Sequence, residues 1–233
     1  MKNQPSVSVA LATFNGSAYL HDQLESLADQ EILPIELVVS DDGSEDETFE
    51  IIQDFSKKSS FPVKYFQNPI RLGYGRNFLQ AASMCSGTHV AFCDQDDVWL
   101  PRKISRIISL LKNSDFDLIA HSAKVVDRNL NWEGAKFPDI PLDAVYTHDG
   151  SNDHFWPGFT LTISRSLLNL VQAATYSDPH DLKFAHDELI CTLARKRKCF
   201  LIAEPLALYR QHENNLIGFH GAMQSISKSS KDI

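Results

Sequence analysis

Thr88-His89-Val90-Ala91-Phe92-Cys93 runs straight into Asp94-Gln95-Asp96-Asp97. A short apolar run rich in β-formers and stopped by a polar turn reads as a buried strand. This strand ends in three carboxylates within four residues. The same pattern occurs twice upstream. Val7-Ser8-Val9-Ala10-Leu11-Ala12 stops at Thr13-Phe14-Asn15-Gly16, and Ile35-Glu36-Leu37-Val38-Val39-Ser40 stops at Asp41-Asp42-Gly43-Ser44. Helical spacing fills the intervals. Tyr19, Leu20, Leu24 and Leu27 define a first helix with Ser17 as its N-cap. Phe49, Ile51, Ile52 and Phe55 define a second, with acidic residues in its first turn, where the helix dipole favours them. Val63 to Phe66 is a further strand. Gly73-Tyr74-Gly75 precedes a helix over 76–85, and Pro101 opens another with Ile104, Ile107, Ile108 and Leu111 inward. Strand and helix alternate, which argues for a parallel α/β sheet with right-handed crossovers.

The rhythm changes after residue 115. Asp117 to Ala123 reads as a strand and 127–157 as loop-rich. Phe159 to Ile163 is strand-like, 164–174 and 184–197 are helical, and two short strands flank Glu204-Pro205. The tail from Gln224 is poor in apolar residues and is expected to fray.

The chain has 233 residues and a formal net charge of −8, with 43% hydrophobic and 22% charged residues. That balance is globular, and it leaves no basic stripe to track nucleic-acid phosphates. No stretch approaches the ~20 apolar residues of a membrane span, and the N-terminus lacks a secretory pattern. Cys85, Cys93, Cys191 and Cys199 form no CxxC pair and read as reduced thiols of a cytosolic protein.

In an open α/β sheet, ligands bind outside the carboxyl ends of the strands. Thr13, Asn15, Asp41, Asp42, Asp94, Asp96 and Asp97 therefore converge on one crevice. Clustered carboxylates repel one another and call for a cation. Hard oxygen ligands suit Mg²⁺ or Mn²⁺, which complete their shells with substrate phosphates. GxGxxG after the first strand, GxxxxGK[ST] and GxSxG are all missing, which disfavours dinucleotide, P-loop and serine-hydrolase chemistry.

Residues 7–16, 38–48 and 91–99, with His186-Asp187-Glu188-Leu189 and the run 208–215, resemble family 2 glycosyltransferases of the GT-A fold. The last two motifs are most similar to the rhamnosyltransferase-like branch that builds bacterial surface polysaccharides. The resemblance implies a Rossmann-like, mostly parallel central sheet flanked by helices, with a small second sheet. It implies a single domain over 1–223, split into a nucleotide-binding half (1–115) and an acceptor-binding half (116–223). It also implies inverting transfer of a sugar from a UDP-, dTDP- or GDP-linked donor to a glycan or lipid-linked glycan acceptor. The protein would then be cytoplasmic and would visit the inner membrane face for a lipid-linked acceptor.

By the same resemblance, Asp42 accepts from the nucleotide base, with Thr13, Asn15 and Asp41 beside it and Arg76 near the base or diphosphate. Asp94 and Asp96 hold ribose, metal and diphosphate. Asp187 is the base that deprotonates the acceptor, with Glu188 as the alternative. His212 reaches the metal or the diphosphate. Trp156-Pro157-Gly158 either walls the acceptor pocket or is a turn around a core tryptophan. Two other classes stay open. A nucleotidyltransferase would need a basic Gly-rich loop after the first strand, where Thr13 to Ser17 has no basic residue. A non-catalytic module that kept the fold is the other.

Overall fold

The computed structural model describes residues 4–146, 155–177, 185–213 and 215. Strands β1 (Val7–Thr13), β2 (Glu36–Asp41), β3 (Val63–Gln67) and β4 (His89–Cys93) alternate with helices α1 (Ser17–Ala28), α2 (Thr48–Lys58) and α3 (Tyr74–Ser83). Then follow β5 (Val98–Trp99), α4 (Lys103–Asn113), β6 (Leu118–Val126), β7 (Trp132–Lys136), β8 (Ala144–Tyr146), a 3₁₀ turn (Gly158–Thr160), β9 (Thr162–Ser164), α5 (Arg165–Ser177), α6 (His186–Ala194) and β10 (Cys199–Arg210).

The strands form one sheet in the order β3-β2-β1-β4-β9-β6-β10-β5. β1 pairs in parallel with β2 and β4, and β2 with β3. β9 then enters antiparallel between β4 and β6. Every residue of β1 and β2 is buried, as the unbroken apolar runs require of strands covered on both faces. Val7, Val9 and Leu11 face one core with Leu20, Leu24 and Leu27 of α1, Ile52 of α2 and Ile104 and Ile107 of α4. Ala10 and Ala12 face the other, with Phe78 of α3, Leu167 of α5 and Ile190 of α6. The period-2 alternation of β1 thus assigns helices to the two layers.

Four expectations change. The small second sheet is fused to the first. β10 is one twelve-residue strand, not two. Its early residues pair with β8 and its later ones with β5, and the register shifts at Pro205, which has no N–H for the ladder. The N-cap of α1 is Gly16, with Ser17 the first helical residue. The amides of Gly16 and Ser17 donate to Thr48 Oγ1 and Asp46 Oδ2 from the start of α2, so the cap is tertiary. The strand expected at 159–163 is instead the 3₁₀ turn followed by β9. All four cysteines are free and buried. The tail 224–233 lies outside the described residues.

Candidate active site

A cleft of about 330 Å³ opens at the carboxyl ends of β1, β2 and β4. Thr13, Asp42 and Asn77 line it, together with Asp94 and Asp96 and with Gly158, His186 and Asp187. The strand tips do converge, but they play different parts.

Asp41 is fully buried. It accepts from the Thr13 hydroxyl, the Ser44 amide and hydroxyl, and Gln67 Nε2. A carboxylate offers about four acceptor sites, so none is left for a ligand. Asp41 is scaffold, contrary to its expected place on the nucleotide. Asp42 accepts from the Leu72 and Gly73 amides at 2.7 and 2.8 Å and from Asn68 Nδ2 at 3.2 Å. It lines the cleft with acceptor capacity to spare. Gly73 (φ +81°) turns the chain into α3 in a conformation that side chains resist.

Asn15 points away from the cleft and is exposed. It adopts φ 47°, which Asn tolerates, and its Oδ1 accepts from the Glu45 amide, bracing two loops. Arg76 is exposed on α3 and does not line the cleft; Arg71 does, with its guanidinium 3.8 Å from the Phe14 ring centroid. The resemblance selected the basic residue on the helix, whereas the loop before it faces the site.

Oxygens of Asp94, Asp96 and Asp97 lie within 4.8 Å of one another. Burial pushes Asp94 up to about 8, the Asp96 and Asp187 charges add to the shift, and Lys103 opposes it. Burial likewise raises Asp97 well above the carboxylate range. Its Oδ1 accepts from the Arg210 amide at 3.1 Å, while its buried Oδ2 has no partner among the described residues. A half-satisfied buried carboxylate beside two more is costly, and a hard cation offsets that cost. His212 Nε2 lies 2.9 Å from Asp96 Oδ2, so the loop after β10 reaches the cluster. Gln95 ties the tips together, accepting from the Phe14 amide and donating to its carbonyl.

Asp187 stands in the first turn of α6 and is buried. Burial raises it to about 6, although the Gly158 amide (3.1 Å) and the Glu188 amide (3.0 Å) donate to it. Its charge acts on Asp94, and both residues line the cleft. Glu188 is exposed beside it. Trp156 is buried edge-on to Tyr146, while Pro157 and Gly158 line the cleft. The turn is thus built around a buried tryptophan, with its next two residues on the cleft wall.

Sequence reasoning missed Lys103 and His186. Lys103 is fully buried, donates to the Phe159 carbonyl at 2.8 Å and sits 3.6 Å from the Trp99 ring centroid. Burial lowers it to about 7. Its signal was legible: it falls on the inward stripe with Ile107 and Leu111. His186 stacks on Phe78 at 4.2 Å, and burial holds it down at about 3.

The sequence pattern of glycosyl transferase family 2 matches residues 8–170. An uncharacterized glycosyltransferase of Nostoc sp. is 30% identical over 218 residues, covering 90% of this chain and 66% of its own length. The dTDP-rhamnosyl transferase RfbG of Shigella flexneri is 26% identical over 222 residues, covering 89% and 73%. S. aureus TarS 1–349 in complex with UDP-GlcNAc shares the fold, with a TM-score of 0.75 at 24% identity over 90% of this chain and 60% of that one. The chain spans about two thirds of the length of these proteins. With the family pattern matched over most of its length and the strand tips converging on one cleft, the chain belongs to glycosyl transferase family 2 and has its GT-A fold.

Proposed function

We propose that this chain is an inverting glycosyltransferase that moves a sugar from a nucleoside-diphosphate sugar to an acceptor hydroxyl in bacterial surface-polysaccharide synthesis. One observation carries the reading: a buried carboxylate raised to about 6, Asp187, shares one cleft with Asp94 and Asp96 of the acidic triad and with Asp42 and Asn77. Inverting transfer needs a base on one face of the sugar and stabilisation of the leaving diphosphate on the other.

Asp42 and Thr13 take the nucleoside, and Arg71 joins them in place of Arg76. Asp94, Asp96 and Asp97, with His212 beside Asp96, would hold Mn²⁺ or Mg²⁺; the orphaned Asp97 oxygen supports the fit. The cation would supply Lewis-acid stabilisation of the departing diphosphate. Asp187 takes the proton of the attacking hydroxyl. Its raised pKa matches it to that task near neutral pH, and the two backbone amides fix its orientation. The family membership, the likeness to the dTDP-rhamnosyl transferase RfbG and the UDP-GlcNAc in the TarS complex support a pyrimidine-nucleotide sugar donor. A glycan or lipid-linked glycan is the acceptor; no described helix is long and apolar enough to cross a membrane.

A thermal-shift panel of UDP, dTDP and GDP with Mn²⁺ tests the donor site. A ligand at 100 times its Kd stabilises by about 2.7 kcal/mol. A rise in Tm with one nucleotide, dependent on the metal, is expected; no response to any of the three overturns the reading.

A further inference from the structure

Tyr74 is a large aromatic side chain left 42% exposed, yet it lines the cleft. It is the first residue of α3, directly after the turn that Asp42 anchors. Its ring meets His186 edge-on, with centroids 6.1 Å apart. His186 in turn is wedged against Phe78 and Phe92 and leaves no room for a Cβ on Gly158, so the wall behind Tyr74 is rigid. Tyr74 and Asp187 line the same cleft, and burial with the charges of Asp187 and Glu188 pushes the Tyr74 phenol up to about 12. Glu188 follows Asp187 in the first turn of α6 and is exposed.

We infer that Tyr74 and Glu188 form the acceptor-saccharide subsite. This rests on the function proposed above. The chemistry of these groups selects the ligand. Asp187 and Glu188 are acidic and His186 is held neutral, so these groups repel a diphosphate, which belongs with the triad. They suit a neutral polyol. An exposed phenol ring offers an apolar face for the C–H face of a pyranose. The Glu188 carboxylate and the phenol hydroxyl supply acceptor and donor for ring hydroxyls. A sugar so seated presents one hydroxyl to Asp187.

The test uses saturation-transfer NMR on the full chain with UDP and Mg²⁺ present. The probes are methyl α-rhamnopyranoside and methyl β-N-acetylglucosaminide. Wild type is expected to saturate the ring protons of at least one probe. Tyr74→Ala weakens that binding about 2- to 10-fold, the worth of one aromatic contact. Tyr74→Phe retains most of it, and Glu188→Gln weakens it. The nucleotide-dependent rise in Tm is unchanged in all three variants. Equal probe binding by wild type and Tyr74→Ala overturns the inference, as does no probe binding by wild type. Loss of the nucleotide response in Tyr74→Ala also overturns it, because the ring then serves the donor. Failure of the wild-type nucleotide response is a separate result, and it sinks the proposed function instead.

Discussion

β2 and β4 flank β1 in the sheet, and both end in clustered aspartates. At β2, Asp41 has donors on both oxygens, and Asp42 accepts from two amides and Asn68. At β4, burial and the Asp96 charge drive Asp94 and Asp97 upward, and a buried oxygen of Asp97 has no partner among the described residues. The sequence around the two tips looks alike, yet the donors nearby differ. A carboxylate whose acceptor sites are filled holds loops in place. A cluster short of donors stores repulsion that an incoming cation relieves.

The largest expected effect concerns the carboxylate that combines both behaviours. Asp187 accepts from two amides and is still raised to about 6. Asp187→Asn keeps the shape and removes the base. The transfer rate should fall by about 10²- to 10⁴-fold, with the nucleotide-dependent Tm rise intact. Unchanged turnover removes Asp187 as the base and leaves it on the scaffold side of the comparison.

The comparison breaks most directly through stability. Asp41→Ala strands buried donors, so urea unfolding should show a loss of about 1–3 kcal/mol. Asp96→Ala loses the His212 contact but relieves repulsion, so it should cost less stability than Asp41→Ala, and it should abolish the metal-dependent response to nucleotide. Equal destabilisation by the two variants would mean that the two tips do not differ in kind.

Much of this was legible in sequence. The apolar runs of β1, β2 and β4 and their polar stops place the cleft, because a strand buried on both faces cannot hide its alternation or its end. The division of labour among the aspartates was not legible. It depends on Gln67 and Asn68 and on the amides of Leu72 and Gly73, which come from 26 to 31 residues away in sequence. Nor was the fused sheet, because pairing of β10 with β8 and β5 is long-range and its continuity past Pro205 is a matter of register. The sequence pointed to Arg76, whereas Arg71, on the loop before the turn at Gly73, is the arginine that lines the cleft.

A pH profile sharpens the position of Asp187. A carboxylate raised to about 6 is protonated below that pH and then cannot accept the acceptor's proton. The rate should fall about tenfold per unit as pH drops below 6. The sign for stability is opposite. The folded state holds this proton more tightly than the unfolded chain, so the contribution of Asp187 to stability is present at low pH and is lost as pH rises through 6. Asp187→Asn should abolish both dependences. A limb that persists in the variant belongs to another group.

The smallest pair of changes probes the two tips with single atoms. Ser44→Ala removes the hydroxyl that donates to Asp41 Oδ1 while the Ser44 amide still donates to Oδ2. One hydrogen bond of this kind contributes about 0.5–1.5 kcal/mol, so the urea midpoint should fall modestly and the metal response should stay. Asp97→Asn replaces a buried oxygen that has no donor with an amide of the same shape, and Oδ1 still receives the Arg210 amide. There the midpoint should rise, since a buried charge is removed, while the metal-dependent Tm shift shrinks. Opposite signs from two near-isosteric changes follow only if the β2 carboxylates are satisfied and the β4 carboxylates are not. A fall in the midpoint on Asp97→Asn would show that its charge already has a partner, with Lys103, whose field acts on Asp97, the first group to examine.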